Sequence, residues 1–223
     1  MNILSIRNVS YQYEGTKKLV LSGINAEFSS GKIYTIIGKS GSGKSTLLSL
    51  IAGLDVCTEG EIIYKGTSLK ELDRDDYRAK NIGVIFQSYN LLTNATGVEN
   101  IMLSMNISGS REKDKREYAY ALLEKVGIDR ETAGRKVLKL SGGEQQRIGI
   151  ARALAHNPDI IIADEPTGNL DSDTESAILD ILTSLARDEG KCVIIVTHSK
   201  KVTSIADEVW GINDGKLLFV KHS

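Results

Sequence analysis

Cysteine and proline are scarce in this chain of 223 residues, with two of each. Cys57 and Cys192 have no CxxC spacing and are too few for a disulfide framework, which excludes a cysteine-built zinc site and a small secreted scaffold. Long apolar runs are missing too. The longest, Ile160 to Ala163 and Val193 to Val196, have strand length and fall far short of the roughly 18 residues of a membrane span. The start, Met-Asn-Ile-Leu-Ser-Ile-Arg, lacks the basic-then-apolar pattern of a signal peptide, so the expectation is a cytoplasmic protein whose membrane role, if any, comes through a partner. No charge of either sign dominates. The 28 Lys and Arg face 29 Asp and Glu for a net charge of −1, against the basic surplus of a nucleic-acid binder.

What is present is ordinary globular composition, 26% charged and 41% hydrophobic, with 21 glycines that favour regular elements joined by tight turns. The first third reads as strands: Ile3 to Tyr13, Gly23 to Phe28, Lys32 to Ile37, Gly60 to Tyr64 and Asn81 to Gln87. From about Thr96 to Ala155 the pattern is helical, with Tyr118, Leu122 and Val126 recurring every four positions. The mixed-charge run 111–117 reads as a solvated helix face. In the last third, strands Ile160 to Asp164 and Lys191 to Thr197 flank a helix from about Asp173 to Arg187. Ser172 and Glu175 have capping-box spacing before that helix, and Asp214-Gly215 closes a hairpin. Strand–helix alternation predicts an α/β fold with a mostly parallel sheet.

The run Gly38-Lys39-Ser40-Gly41-Ser42-Gly43-Lys44-Ser45-Thr46 fits G-x-x-x-x-G-K-[ST] and stands between a buried strand and a helix, which sets it apart from a Gly/Ser-rich linker. Glycines let backbone N–H groups approach phosphate oxygens, and the helix N-terminus adds partial positive charge. Lys44 is expected at the β- and γ-phosphates, and the Ser45 hydroxyl on Mg²⁺. Far downstream, the apolar strand Ile160 to Ala163 delivers Asp164 and Glu165 to the carboxyl edge of the sheet. Asp164 suits the Mg²⁺ shell, and Glu165 suits activation of a water for in-line attack. Together these imply binding and hydrolysis of a nucleoside triphosphate. Ser141-Gly142-Gly143-Glu144 opens a second helix and makes either a second anion-receptive start or simply a well-capped helix.

Leu140-Ser141-Gly142-Gly143-Glu144-Gln145-Gln146-Arg147 resembles the signature sequence of ABC-type ATPases, and further motifs follow in family order. Tyr13 looks like the aromatic that stacks on adenine, with Tyr11 a close rival. Gln87 is similar to the glutamine that joins the metal and nucleophilic water to the membrane partner. Asn169-Leu170-Asp171 looks like the loop that crosses a dimer interface, and His198 like the switch histidine on the γ-phosphate. His156 and His222 match no motif and are expected on the surface.

The resemblance implies a P-loop NTPase core of ABC ATPase type with an antiparallel β subdomain and a helical subdomain. The core would span about 1–87 and 156–223, and the helical, signature-bearing part about 88–155. It also implies ATP and Mg²⁺ as ligands, a separately encoded integral membrane permease, and a head-to-tail homodimer when ATP is bound. In each composite site Lys44, Ser45, Gln87, Asp164, Glu165 and His198 would face Ser141 to Glu144 of the other subunit. The runs 143–147 and 163–171 resemble the macrolide-exporter, lipoprotein-release and bacitracin-resistance branch, which implies export or removal of a peptide, antibiotic or lipid-like substrate. Lys39 stands where that branch often has Pro, and Ser199 where an acidic residue is common. A regulatory ATPase of the cell-division type shares every motif and is the alternative.

Overall fold

A computed structural model describes residues 2–168 and 170–222. Two sheets organise them. The first is antiparallel, in the order β2 (Leu19–Ser29), β1 (Asn2–Gln12), β4 (Glu59–Tyr64), β5 (Thr67–Ser68). The second has six strands in the order β10 (Lys216–His222), β9 (Glu208–Asn213), β3 (Ile33–Ile37), β8 (Cys192–Val196), β7 (Ile160–Asp164), β6 (Ile82–Ile85). All its pairings are parallel except the closing hairpin β9–β10, whose turn residues Asp214 and Gly215 both have positive φ.

The central strands are apolar throughout because both faces are covered. Along β8, Cys192, Ile194 and Val196 enter one core, while Val193 and Ile195 enter the other. Strand periodicity makes this division. One core packs under the antiparallel sheet and α1 (Lys44–Ile51). The other packs under α3 (Gly97–Ile107), α4 (Lys115–Lys125), α6 (Gly142–Leu154) and α7 (Ser172–Arg187). Each large aliphatic side chain removed from water contributes about 1.5–3 kcal/mol. The short helices α2 (Arg74–Lys80), α5 (Arg130–Ala133) and α8 (Lys200–Ser204) complete the chain, with a 3-10 turn at Val137–Lys139.

The helical stretch expected from about Thr96 to Ala155 consists of α3, α4, α5 and α6. Thr96 and Glu99 form a capping box that starts α3, which ends before Gly109. α4 begins at Lys115 because the Asp114 carboxylate accepts the Glu117 amide at 3.0 Å. The capping box expected at Ser172 and Glu175 does not form. Asp171 takes the cap instead, accepting the amides of Asp173 (3.1 Å) and Thr174 (2.9 Å), so Ser172 is already helical. Gln87 lies two residues beyond β6 instead of ending it. His156 is half-buried rather than on the surface. Its Nε2 lies 3.1 Å from the Ile82 carbonyl oxygen, and burial holds the ring below its usual pKa. The His222 side chain and Asn169 lie outside the described residues.

Candidate functional site

The parallel sheet delivers β3, β7 and β8 with their carboxyl ends to one edge, and the segments leaving those ends wall a cavity of about 900 Å³. From β3 the chain runs through Ser40, Gly41, Gly43, Lys44, Ser45 and Thr46 into α1. Gly43, at φ 107°, is the N-cap residue. A Cβ there would approach Leu21 Cδ2 to 2.8 Å in a conformation that side chains rarely adopt. With no side chain capping α1 and no acidic residue in its first turn, the amides and positive dipole end stay available to an anion. The Lys44 ammonium is held over the loop, donating to the carbonyl oxygens of Gly38 (2.7 Å) and Lys39 (3.0 Å), with the side chain largely buried.

From β7 come Asp164 and Glu165. The Ser45 hydroxyl donates to Asp164 Oδ2 at 3.1 Å, so a hydroxyl and a carboxylate meet at one point of the cavity wall. Hard oxygen donors in that pairing fit Mg²⁺. Glu165 has φ 47°, an uncommon conformation for a non-glycine residue, and its amide is tied to the Val196 carbonyl at 2.9 Å. Glu165 Oε2 accepts the Thr197 hydroxyl (3.1 Å) and the His198 amide (3.3 Å). Its Oε1 is buried without a hydrogen-bond partner, with His198 Nε2 at 3.5 Å. Gln87 lines the same cavity beside Gly168.

Of the two rival tyrosines, Tyr11 points into the core and is 8% exposed, whereas Tyr13 is 47% exposed and lines the cavity. The Tyr13 hydroxyl lies 2.9 Å from the Thr46 hydroxyl, and its ring packs edge-on against Tyr11. Tyr13, Lys44, Ser45, Gln87, Asp164, Glu165 and His198 therefore share one cavity. Gly38 and Ser42 belong to the same loop but do not line the cavity, and Ser42 Oγ is buried.

Ser141, Gly143 and Glu144 line a different cleft, of about 310 Å³, together with Arg147 and Thr174. There Ser141 and Glu144 close a capping box, with the Ser141 amide on Glu144 Oε2 (2.7 Å) and the Glu144 amide on Ser141 Oγ (3.3 Å). Asp171 lines neither cavity. Its carboxyl is held below the usual range by the amide and hydroxyl of Thr174. Sequence reasoning missed Val20, Thr167, Gly168, Glu175 and Ser199 in the main cavity. Thr167 and Gly168 lie inside the run 163–171, while the spacing of Glu175 from Ser172 points to a capping role instead.

The ABC transporter family profile matches residues 21–168. The uncharacterised ABC transporter ATP-binding protein YclH of Bacillus subtilis is 44% identical over 207 residues, covering 93% of this chain and 92% of that protein. The lipoprotein-releasing system ATP-binding protein LolD of Francisella tularensis is 40% identical, covering 99% of this chain and 98% of its own. A solved dimeric structure of the ATP-binding cassette MJ0796, in a post-hydrolysis state bound to ADP and Pi, superposes with a TM-score of 0.89 at 34% identity, covering 99% of this chain and 100% of that one. A profile spanning well over half of the chain, near-full-length relatives and a phosphate-loop cavity of this kind lead to one conclusion: the chain belongs to the ABC transporter family, as an ATP-binding subunit that hydrolyses ATP.

Proposed function

We propose that the chain drives a separately encoded membrane permease by binding and hydrolysing Mg·ATP in a head-to-tail homodimer, and that the permease exports or removes a lipid-like or peptide substrate. The observation that carries this reading is the uncapped α1 terminus, with Lys44, the Ser45–Asp164 pair and Glu165 around one cavity. Mg²⁺, on Ser45, Asp164 and Gln87, would screen the charge of the transferring phosphoryl group. The loop amides and Lys44 bind the phosphates, and Tyr13 offers its ring to the base. Glu165 is the general base: its unpaired Oε1 has an acceptor site free for the proton of an attacking water. His198, 3.5 Å from that oxygen, orients the water and the terminal phosphate.

Ser141 to Glu144 lie in a separate cleft of the same chain and serve the partner subunit's nucleotide, and the loop ending at Asp171 lies at the dimer seam. The dimeric MJ0796 cassette supports this arrangement. The packing of α3, α4 and α6 against one another supports taking residues 88–155 as the signature-bearing unit, seated on the core it shares with α7 and the parallel sheet. No helix among the described residues is long and apolar enough to cross a membrane. The LolD relatives support a lipid-linked substrate.

Replacing Lys44 with Ala tests the reading. ATP binding to the purified chain, followed by equilibrium dialysis, should fall by about 100-fold or more, because a buried charge-assisted partner of the phosphates is lost. Undiminished affinity would remove the loop from the site. Pull-down of a membrane protein with few spans and a large extracytoplasmic domain, and its activity on lipoprotein or peptide cargo, tests the substrate class.

A further inference from the structure

A first-turn carboxylate on a helix usually stands in solvent near the positive dipole end. Glu175, in the first turn of α7, does not: its side chain is 19% exposed and forms part of the wall of the nucleotide cavity. Its Oε1 accepts the hydroxyl of Ser199 at 2.9 Å and that of Thr167 at 3.3 Å. Its Oε2 lies 3.8 Å from the Lys201 ammonium. Thr167 is buried in the loop that follows β7, and Ser199 caps α8 after β8, so one carboxylate ties together the segments leaving two central strands.

The connection continues to the reacting centre. The Ser199 amide donates to Thr197 Oγ1 at 3.0 Å, and the Thr197 hydroxyl donates to Glu165 Oε2 at 3.1 Å. Three hydrogen bonds therefore lead from Glu175 to the carboxylate of Glu165, and His198 is held between the two hydroxyl residues on that path. The anchor at the other end is rigid. Thr174 is bonded to Asp171 through its hydroxyl at 2.7 Å. Its methyl group packs so tightly on Gly143 that a Cβ there would come within 2.7 Å.

We propose that Glu175 is a positioning residue for hydrolysis: it fixes the Thr197–Ser199 segment, and through it the rotamer of Glu165 and the place of His198. The proposal rests on the hydrolytic reading above. It concerns hydrogen-bond acceptance by Oε1 and not the charge of the side chain. In the full-length chain, Glu175→Ala should lower kcat by about 10- to 100-fold, the size expected when a reacting group is misplaced. ATP affinity and KM should stay within about twofold, since no phosphate contact is removed.

Glu175→Gln keeps an acceptor oxygen for both hydroxyls and should restore most of the rate. Ser199→Ala removes the same bond from the other end, together with the cap that Ser199 Oγ gives the Val202 amide at 3.4 Å. It should lower kcat similarly, and the double variant Glu175→Ala/Ser199→Ala should be no worse than either alone. Independently of turnover, the imidazole ¹⁵N resonances of His198 should move in Glu175→Ala and stay in place in Glu175→Gln. An unimpaired Glu175→Ala, a Glu175→Gln as slow as Glu175→Ala, additive loss in the double variant, or an unmoved His198 resonance would each overturn the proposal. A wild-type chain that fails to hydrolyse ATP would instead overturn the hydrolytic reading, and the His198 resonance would still decide the role of Glu175.

Discussion

Two helices of this molecule start at glycines beside a cavity, and their first turns are finished differently. At α1 the N-cap is Gly43, no side chain closes the end, and no carboxylate enters the first turn. At α6 the N-cap is Ser141, and Glu144 folds back to complete a reciprocal box. The first arrangement leaves its amide donors and dipole for an incoming anion. The second satisfies two of its own donors and places a carboxylate beside the rest, so it is poorly made to hold a multiply charged anion by itself. It suits a supporting contact to a nucleotide already held elsewhere. In the proposed dimer α1 would bind the nucleotide and α6 would complement it, although both read as Gly-rich helix starts.

The sharpest way to break that contrast is to remove the chemistry from one cavity only. Glu165→Gln should lower the hydrolysis rate by about 100- to 10,000-fold, the range for loss of a general base. ATP binding should persist, and size-exclusion chromatography with ATP should show a dimer accumulating. A variant with normal turnover would move the base to another residue. Ser141→Arg probes the other cavity. Steady-state hydrolysis should fall by about 10- to 100-fold, because the complement to the partner's nucleotide is blocked, while ATP binding to the monomer changes by less than about twofold. Equal loss of monomer binding would mean that α6 contributes to its own chain's site.

A milder change sharpens the difference in capping. Ser141→Ala removes a closed cap worth about 1 kcal/mol and should lower Tm by about 2–4 °C. The smallest effect is expected in the core beneath α1, outside both cavities. Cys192 is fully buried, and burial pushes its thiol up to about 12. At pH 8 a thiol reagent should leave it unmodified in the folded chain and label it only after unfolding. Rapid labelling without loss of structure would mean that the sheet core opens locally.

The legible parts of the site are those whose chemistry demands neighbouring residues. A phosphate cradle must come from consecutive amides, so Gly38 to Thr46 announces itself. The apolar run of four residues, Ile160 to Ala163, has to end at an edge of its sheet, so the amino-acid pattern alone puts Asp164 and Glu165 there. Tyr13 and Tyr11 are rivals in the sequence because two residues of one strand share a face. They separate because β1 ends at Gln12 and leaves Tyr13 free to turn outward. Glu175 escapes sequence reasoning for a local reason. Ser172-x-x-Glu175 has capping-box spacing, but Asp171 lies one residue earlier and its shorter carboxylate reaches two amides. The contacts that give Glu175 its place, Thr167 and Ser199, lie 8 and 24 residues away, beyond any local pattern.

The hold of two loop carbonyls on the Lys44 ammonium bears on affinity as much as on charge. A lysine side chain that is free to sample its rotamers loses about 1.5–2 kcal/mol of conformational entropy when it is fixed. Here the folded chain has already fixed it, so that loss belongs to folding, and an arriving phosphate meets a preorganised cation.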